Sequence, residues 1–595
     1  MSAIHLTSVE DMIHSHTYAK ARRRVLVQLI EALLYERLAA FTMNEAAERE
    51  GEEIRIEGRD AGGAPVFYVC EGRRTASFGR IRLSGGPIMR VHEGEVEEAK
   101  DPALLLVEIA RVREAPSGPL AVFAREIEQT LLKEAAALHW RGRQGEARRG
   151  ERGHDDLEGD VIEAHPYHPC FKSRIGFTLA DNEAYGPEFH PRIKLLWLAV
   201  RKEDMEVAAS GDADWERIIR EDVGEAAYAL FEERLAARSL DPSGFAFVPV
   251  HPWQWREQVA SVFYRELAAG RIVELGEGEA LYSPQQSIRS LANRSDPAKL
   301  TVKLSLGIRN TSSLRTISPR HARNGPATSD RLSAIVRGDE YLRDKLGLVL
   351  LKERLGMSYR YELLPEPVRA AATGSLGAIW RDSIHRCLAV GEEAVPFTAL
   401  CHVGENGRPY IDRWLKSAGL AEWLKRLLDV TLRPVLHLLF AHGVALESHA
   451  QNLTLIHRNG APVRLAAKDF SGGVLFYNGE AADPALPETD QKGEVRDVVH
   501  NALFFMNLAE LARLLDKHYG WPEERFWQAT AEAVRRYERD FPELRQEFAA
   551  YDLFGEKVFV GLLAARRMRG ESGPRDHWVS NALYDYRHRR EGEPS

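Results

Sequence analysis

The sequence predicts an α+β fold, with helices and antiparallel strands set in separate blocks rather than in regular alternation. An amphipathic helical pattern over residues 24–41 runs into four short β-rich segments. A strictly alternating stretch occupies 299–310, and from about Gly374 the pattern turns mainly helical before closing on two short strands. A doubly wound parallel sheet would repeat strand and helix along the whole chain.

In RVLVQLIEALLYERLAAF (24–41) apolar residues recur at three- and four-residue steps, the spacing of one buried helical face. EIRIEG, PVFYVCEG, RIRLSG and PIMRVHEG follow, separated by Gly or charge, and read as a β-meander. Helical patterns resume over 102–140. RGRQGEARRGERGHDDLEGD (141–160) is rich in Gly and charge and nearly free of apolar residues, so it is expected to be a linker or loop. FAFVPVHPWQW (245–255) reads as a strand. In KLTVKLSLGIRN (299–310) a period of two places Lys299, Thr301 and Lys303 on one face and Leu300, Val302 and Leu304 on the other. TLRPVLHLLFAHG ends a helix; after ESHAQN come two strands with a turn at Asn459-Gly460, a dipeptide that favours a two-residue hairpin loop.

Composition narrows the class. The 595 residues hold enough chain for about two to four domains. Hydrophobic residues at 44% and charged residues at 28% fit a globular protein and exclude disordered, collagenous and disulfide-scaffold classes. Eighty Lys+Arg against 88 Asp+Glu leave −8, so no basic field points to nucleic acid. Cys70, Cys170, Cys387 and Cys401 contain no CxxC pair, which argues against structural zinc or a redox dithiol and suits a reducing cytosol. The opening residues carry no charged-then-apolar signal region. The most apolar long stretch, 430–446, contains Arg433, His437 and His442 and falls short of the ~20 residues that cross a bilayer. A cytoplasmic protein without a membrane span is expected.

Three constellations carry chemistry. The first is Glu447-Ser-His449-Ala-Gln-Asn452 with Asp469-Phe470-Ser471-Gly472-Gly473. A carboxylate and an amide oxygen at the two ends of a hairpin suit Mg²⁺, a hard cation that takes oxygen ligands and bridges phosphates. The pattern parallels the catalytic-loop Asn and DFG Asp of kinases, and the competing reading is a set of caps and turns. The second is Ser287-Ile-Arg289, Lys303, Arg309-Asn-Thr311 and Arg315-Thr316. Cations converging with hydroxyls and turn amides form a polyanion site, since Arg grips carboxylate or phosphate with two prongs and Lys acts as a point charge. A solvated strand face is the alternative, above all for Lys299.

The third is His165-Pro-Tyr-His168-Pro-Cys-Phe-Lys172-Ser-Arg174-Ile-Gly176. Two histidines invite a metal, but the prolines force extended or turn backbone and no third ligand lies nearby. A stiffened loop presenting His168, Lys172 and Arg174 to an anion is expected instead, with a packed turn as the alternative. His251-Pro-Trp-Gln-Trp255 is expected in the core. The chain has no GxSxG elbow, Walker A or GxGxxG motif, so any nucleotide is bound by another architecture.

HPYHPCFKSRIGF, VHPWQW, SIRSL, KLTVKLSLGIRNTSSLRT, ESHAQN and KDFSGG, in this order, resemble the siderophore synthetases that work independently of nonribosomal peptide synthetases, the aerobactin-synthetase-like (IucA/IucC) family. The first motif is most similar to petrobactin-type members. The resemblance implies a hand-like, three-lobed architecture: an N-terminal thumb over 1–150, fingers over 151–380 and a palm over 381–595 distantly similar to kinases. It implies an ATP- and Mg²⁺-dependent ligase that adenylates a carboxyl of citrate or a citryl intermediate, releases pyrophosphate, and condenses the acyl group with an amine or hydroxyl. The amine would be a polyamine or hydroxamate diamine.

Carried over motif by motif, the resemblance places His168, Lys172, Ser287, Lys303, Arg315, His449, Asn452 and Asp469 around ATP. Glu447, Asn452 and Asp469 would lie near Mg²⁺, and Arg289, Thr311 and Arg315 would hold the substrate carboxylate. Lys303, Arg315 and His449 would be catalytic. Family members commonly dimerise, so a homodimer is expected. A small-molecule phosphotransferase using the same Mg-ATP site and a noncatalytic binder of citrate or siderophore are the alternatives. Two departures stand out: Ser290 where the family usually has Thr, and Ala582 where many members have Pro.

Overall fold

The first long helix, His16–Tyr35, begins where the Ser15 side chain accepts the Tyr18 amide at 3.3 Å, and it buries Val25, Leu29 and Leu33. It stops at Tyr35 rather than near 41, because Arg37 turns left-handed (φ 56°) and the chain enters a strand at Phe41. The cause is tertiary. The Glu36 carboxylate accepts the backbone N–H groups of Leu563, Ala564 and Ala565 at 2.9, 3.0 and 2.7 Å, so it caps the helix Leu563–Arg569 from the other end of the chain. This computed structural model describes residues 8–45, 51–144, 153–161, 165–211, 213–311, 313–479, 486–570 and 576–588.

The expected meander forms. Strands β1 (Phe41–Glu45), β2 (Glu52–Arg59), β3 (Pro65–Arg74), β4 (Ile81–Leu83), β5 (Met89–His92) and β6 (Glu95–Glu98) pair in the order β1-β2-β3-β5-β6, with β4 on β3. Ile54, Ile56, Val66 and Tyr68 alternate inward onto the helices Pro102–Val112 and Ser117–Gln144. The expected linker at 141–160 is corrected. Residues 145–152 lie outside the described residues, but His154–Asp160 is a buried helix whose Glu158 pairs with Lys468 at 2.7 Å. Composition reads such residues as solvated; a buried cation from a distant strand end makes their burial possible.

The central element is an eight-stranded sheet. It is built from β7 (Ile193–Arg201), β8 (Met205–Ala209), β9 (Phe245–Val250), β10 (Ile272–Pro284), β11 (Ser290–Asn293), β12 (Thr301–Leu304), β16 (Glu353–Tyr359) and β17 (Gly377–Arg381). The order is β8-β16-β17-β12-β11-β10-β7-β9, and every neighbouring pair is antiparallel. Helix and antiparallel sheet are thus mixed as expected.

Two sequence-level strands divide. The alternating stretch 299–310 breaks at Ser305 into β12 and β13 (Leu306–Asn310), and β13 forms a separate hairpin with β14 (Ser313–Arg315). All four residues of β12 are buried, Lys303 among them, whereas Lys299 stands outside the strand and donates to the Glu221 carbonyl at 2.7 Å. Lys299 therefore does not share the setting of Lys303. Likewise β9 ends at Val250, and His251 caps a helical turn through Nδ1, which accepts the Trp253 amide at 3.1 Å. Trp253 is buried with Phe177, Ile288, Leu306 and Ile308, as expected for the His-Pro-Trp segment.

In the C-terminal part the helix Leu420–His442 ends at Gly443 (φ 62°), a left-handed position that glycine takes without a Cβ clash. A strand the sequence did not announce, β19 (Val444–Leu446), separates this helix from the 447–452 loop. The hairpin of β20 (Leu453–Arg458) and β21 (Ala461–Ala467) follows, with Asn459 and Gly460 both left-handed (φ 51° and 82°). It is flanked by β15 (Val349–Leu350) on β21 and β18 (Glu393–Pro396) on β20. One helical run among the described residues, Lys492–Tyr519, is long and apolar enough to cross a membrane; 78% of its apolar window is buried in this core.

Candidate active site

The hairpin and the centre of the large sheet bring the first two constellations together. Asn452 and Asp469 sit at the open end of β20–β21, where the Lys468 amide donates to the Asn452 carbonyl at 3.0 Å. Asp469 is left-handed (φ 71°), a conformation aspartate tolerates better than most residues, and its carboxylate forms a direct ion pair with Lys303 of β12. The helical turn behind it, Phe470–Gly473, is held by Glu353 of β16, which accepts the Ser471 amide at 2.8 Å and its hydroxyl at 3.2 Å. The Asn452 side-chain nitrogen donates to the Glu447 carbonyl at 3.1 Å, leaving its oxygen as the end suited to a cation. From the π-helical segment His500–Leu508, Asn507 donates to the Ser448 carbonyl at 3.0 Å and pins the loop.

The electrostatics are uneven. Burial works against the Asp469 carboxylate, but Lys303, with Arg289 and Arg381 beyond it, holds its pKa well below the ordinary aspartate range. Burial, with Asp469 nearby, pushes Glu447 upward, although His449, Lys303 and Arg315 oppose the shift. The Glu447 side chain is 48% exposed yet enclosed by protein, so it opens onto a cleft rather than the outer surface. Burial also raises the pKa of Glu353, against the pull of Lys303.

Arg289 and Arg315 lie near the Lys303–Asp469 pair, Arg289 directly before β11, whose Ser290 pairs with Lys303. Arg289 donates to the Thr316 carbonyl; Arg315 donates to the Asn310 carbonyl at 3.1 Å and the Thr311 hydroxyl at 2.5 Å. Among the described residues neither forms an ion pair, and the Arg315 Nε is buried without a hydrogen-bond partner. Burial, reinforced by Arg289, lowers the pKa of Arg315 to about 10. Two adjacent guanidiniums satisfied only by neutral acceptors favour an incoming anion. Thr311 sits left-handed (φ 54°) at the apex of the β13–β14 turn, where its carbonyl accepts Arg567 at 2.5 Å. Arg567 also pairs with Glu126 at 3.2 Å. Ser287 accepts the Ser290 amide at 3.1 Å in the turn that presents Arg289. His449 Nε2 stands 3.9 Å from Glu447 Oε2.

Lys172 is not free to serve this cleft. Lys172 is buried between Glu134 at 2.7 Å and Glu188 at 2.9 Å, and Arg174 is likewise bound to Glu188 at 2.7 Å. The expected anion-presenting loop therefore has its cations neutralised by acids from the helix Ser117–Gln144 and from the turn Pro187–Phe189, which nothing local in the sequence reveals. His168 is buried, its Nδ1 accepting the Cys170 amide at 3.0 Å, and burial holds its pKa well below the ordinary value. His165 is the histidine of this segment closer to the reacting cluster: burial, then His449 and Arg315, lower its pKa to about 3. Lys172→Met should cost stability, about 3–5 kcal/mol for a broken buried pair, while leaving the KM for ATP, the nucleotide expected from the sequence, unchanged in the folded fraction. Denaturant titration and kinetics test this; weaker ATP binding at full stability would return Lys172 to a phosphate role.

Glu353, Arg567 and His321 were not legible from sequence. His321 begins the helix Pro319–Gly338, and burial together with Lys303 and Arg289 lowers its pKa. Glu353 lies in an unremarkable charged run, and Arg567 is one of several arginines in a short basic helix.

Residues 153–402 match the model of the IucA / IucC family, and residues 421–575 match one described as Ferric iron reductase FhuF-like transporter. The chain is 37% identical, over 97% of its length and 96% of the relative's, to the citryl-spermidine/3,4-dihydroxybenzoyl-citryl-spermidine:spermidine ligase of Bacillus anthracis. It is 36% identical to the 2-[(L-alanin-3-ylcarbamoyl)methyl]-3-(2-aminoethylcarbamoyl)-2-hydroxypropanoate synthase of Staphylococcus aureus (strain NCTC 8325 / PS 47), covering 95% of this chain and 93% of that one. The crystal structure of the petrobactin biosynthesis protein AsbB from Bacillus anthracis str. Sterne superposes with a TM-score of 0.90 at 36% identity, covering 97% of this chain and 98% of that one. By name, the first is a ligase of citryl-spermidine, the second a synthase, and the solved structure a petrobactin biosynthesis protein. The chain belongs to the IucA/IucC family.

Proposed function

We propose that this chain is an ATP-dependent ligase that adenylates a carboxyl of citrate or a citryl intermediate, releases pyrophosphate, and transfers the acyl group to an amine or hydroxyl. The observation that carries the reading is the gathering of Arg289 and Arg315, neither in an ion pair among the described residues, near the Lys303–Asp469 pair. Attack of a carboxylate on the α-phosphorus brings two anions together. Arg289, Thr311 and Arg315 bind the carboxylate, while Lys303 and Arg315 offset the repulsion and stabilise charge on the transferring phosphoryl group. Ser287 and Asn452 complete the nucleotide's surroundings.

Glu447, Asn452 and Asp469 fit Mg²⁺: the donors are all oxygen, and the raised pKa of Glu447 beside Asp469 marks a surplus of negative charge that a divalent cation corrects. Bound there, the ion would supply positive charge to the phosphates. In the second half-reaction the amine attacks the acyl carbonyl, AMP leaves, and His449 accepts the amine's proton. The division into thumb, fingers and palm, with the kinase-like hairpin in the last, belongs to the same reading. Product analysis with citrate and ATP tests it: pyrophosphate and AMP are expected, and with hydroxylamine in place of the amine the acyl group is captured as its hydroxamate. ADP as the sole nucleotide product would replace the ligase with a phosphotransferase.

A further inference from the structure

A cavity of about 540 Å³, a size suited to a small organic ligand, has His449 in its wall. His165 also lines it, and Val27, Val403, Met506 and Leu514 contribute apolar side chains. His449 Nε2 stands 3.9 Å from Glu447 Oε2, so this wall residue borders both the cavity and the cleft already described. The methylenes of a molecule seated there meet apolar side chains.

The charge of the lining is one-sided. Both acids on the wall are committed: Glu510 binds Arg80 and Arg82 at 2.5 Å each, and Glu31 binds Arg82 at 2.8 Å and the Leu83 amide at 3.0 Å. Arg24 is spent on Glu134. Of the other cations, Arg23 donates to backbone carbonyls and Arg513 forms a longer ion pair with Glu31 at 3.7 Å, which leaves Lys20 and Lys517 without an ion-pair partner among the described residues. The uncommitted charge facing the cavity is positive.

We propose that this cavity binds the amine substrate, and that the amine carries a carboxylate at the end remote from the reacting nitrogen. An all-cationic polyamine would meet like charge at Lys20 and Lys517, whereas a carboxylate would gain a partner in Lys517 beside Arg513. The inference rests on the ligase reading, because only that reading requires an amine at His449.

Matched pairs test it: ornithine against putrescine, lysine against cadaverine, and 2,3-diaminopropionate against ethylenediamine, with spermidine as the polycation. In at least one pair the acid-bearing amine should show a kcat/KM at least about tenfold higher than its decarboxylated counterpart, and than spermidine. The double variant Arg513→Glu/Lys517→Glu should reverse that ratio, and Arg513→Gln/Lys517→Gln should flatten it, through KM rather than kcat. A preference for bare diamines or spermidine, a ratio unmoved in both variants, or turnover of no acid-bearing amine would overturn the proposal. Citrate-dependent ATP–pyrophosphate exchange without amine separates the two readings: its absence defeats the ligase assignment, while its presence without charge preference defeats only this inference.

Discussion

Arg315→Ala should abolish citrate-dependent pyrophosphate release while leaving the fold intact. The side chain donates to one carbonyl and one hydroxyl within its own hairpin and forms no ion pair among the described residues, so its removal breaks no buried charge pair. The functional cost is far larger. Loss of one preorganised donor to a developing charge typically lowers turnover by about 10²–10³, and Arg315 is asked to bind the carboxylate and stabilise the phosphoryl group together. Arg315→Lys keeps the charge but loses the fork, so it should recover only part of the rate. Pyrophosphate release and thermal melting on the same samples check the outcome; wild-type rates in the alanine variant would remove Arg315 from the mechanism.

The two acids of the cleft should separate by pH. Asp469 is held ionised to low pH by Lys303, whereas Glu447 is pushed above the ordinary value of 4.5 by burial and by Asp469. As pH falls, Glu447 therefore protonates first, and the cleft loses one oxygen donor of the proposed Mg²⁺ site while Asp469 still carries its charge. The acid limb of kcat/KM should lie above the usual glutamate range and disappear in Glu447→Gln. In Asp469→Asn the rate should fall by at least about 10²–10³, but the limb should persist in the residual activity. An unchanged limb in Glu447→Gln would assign it to another group.

Much of this cleft was legible because its parts are local. Asn452 and Asp469 bracket a hairpin whose Asn459-Gly460 turn is written in the sequence, and Thr311 and Arg315 fall within one strand-turn-strand stretch. Short-range rules of turn and alternation suffice there. Those rules failed where partners are distant. Lys172 reads as a free cation until Glu134 and Glu188 are placed around it, and 141–160 reads as a linker until Lys468 meets Glu158.

By itself the sequence determined the mixed helix-and-antiparallel fold, the meander, the hairpin and the family motifs, since each depends on periodicity or turn chemistry over a few residues. Tertiary structure alone decided which charges remain available. Among the described residues it left Arg289 and Arg315 without ion-pair partners, committed Lys172, Arg174, Glu31 and Glu510 to buried pairs, and left the cavity beside His449 with positive charge. A charge's function depends on whether its counter-charge lies within about 4 Å, and that distance is set by packing between segments far apart in the chain.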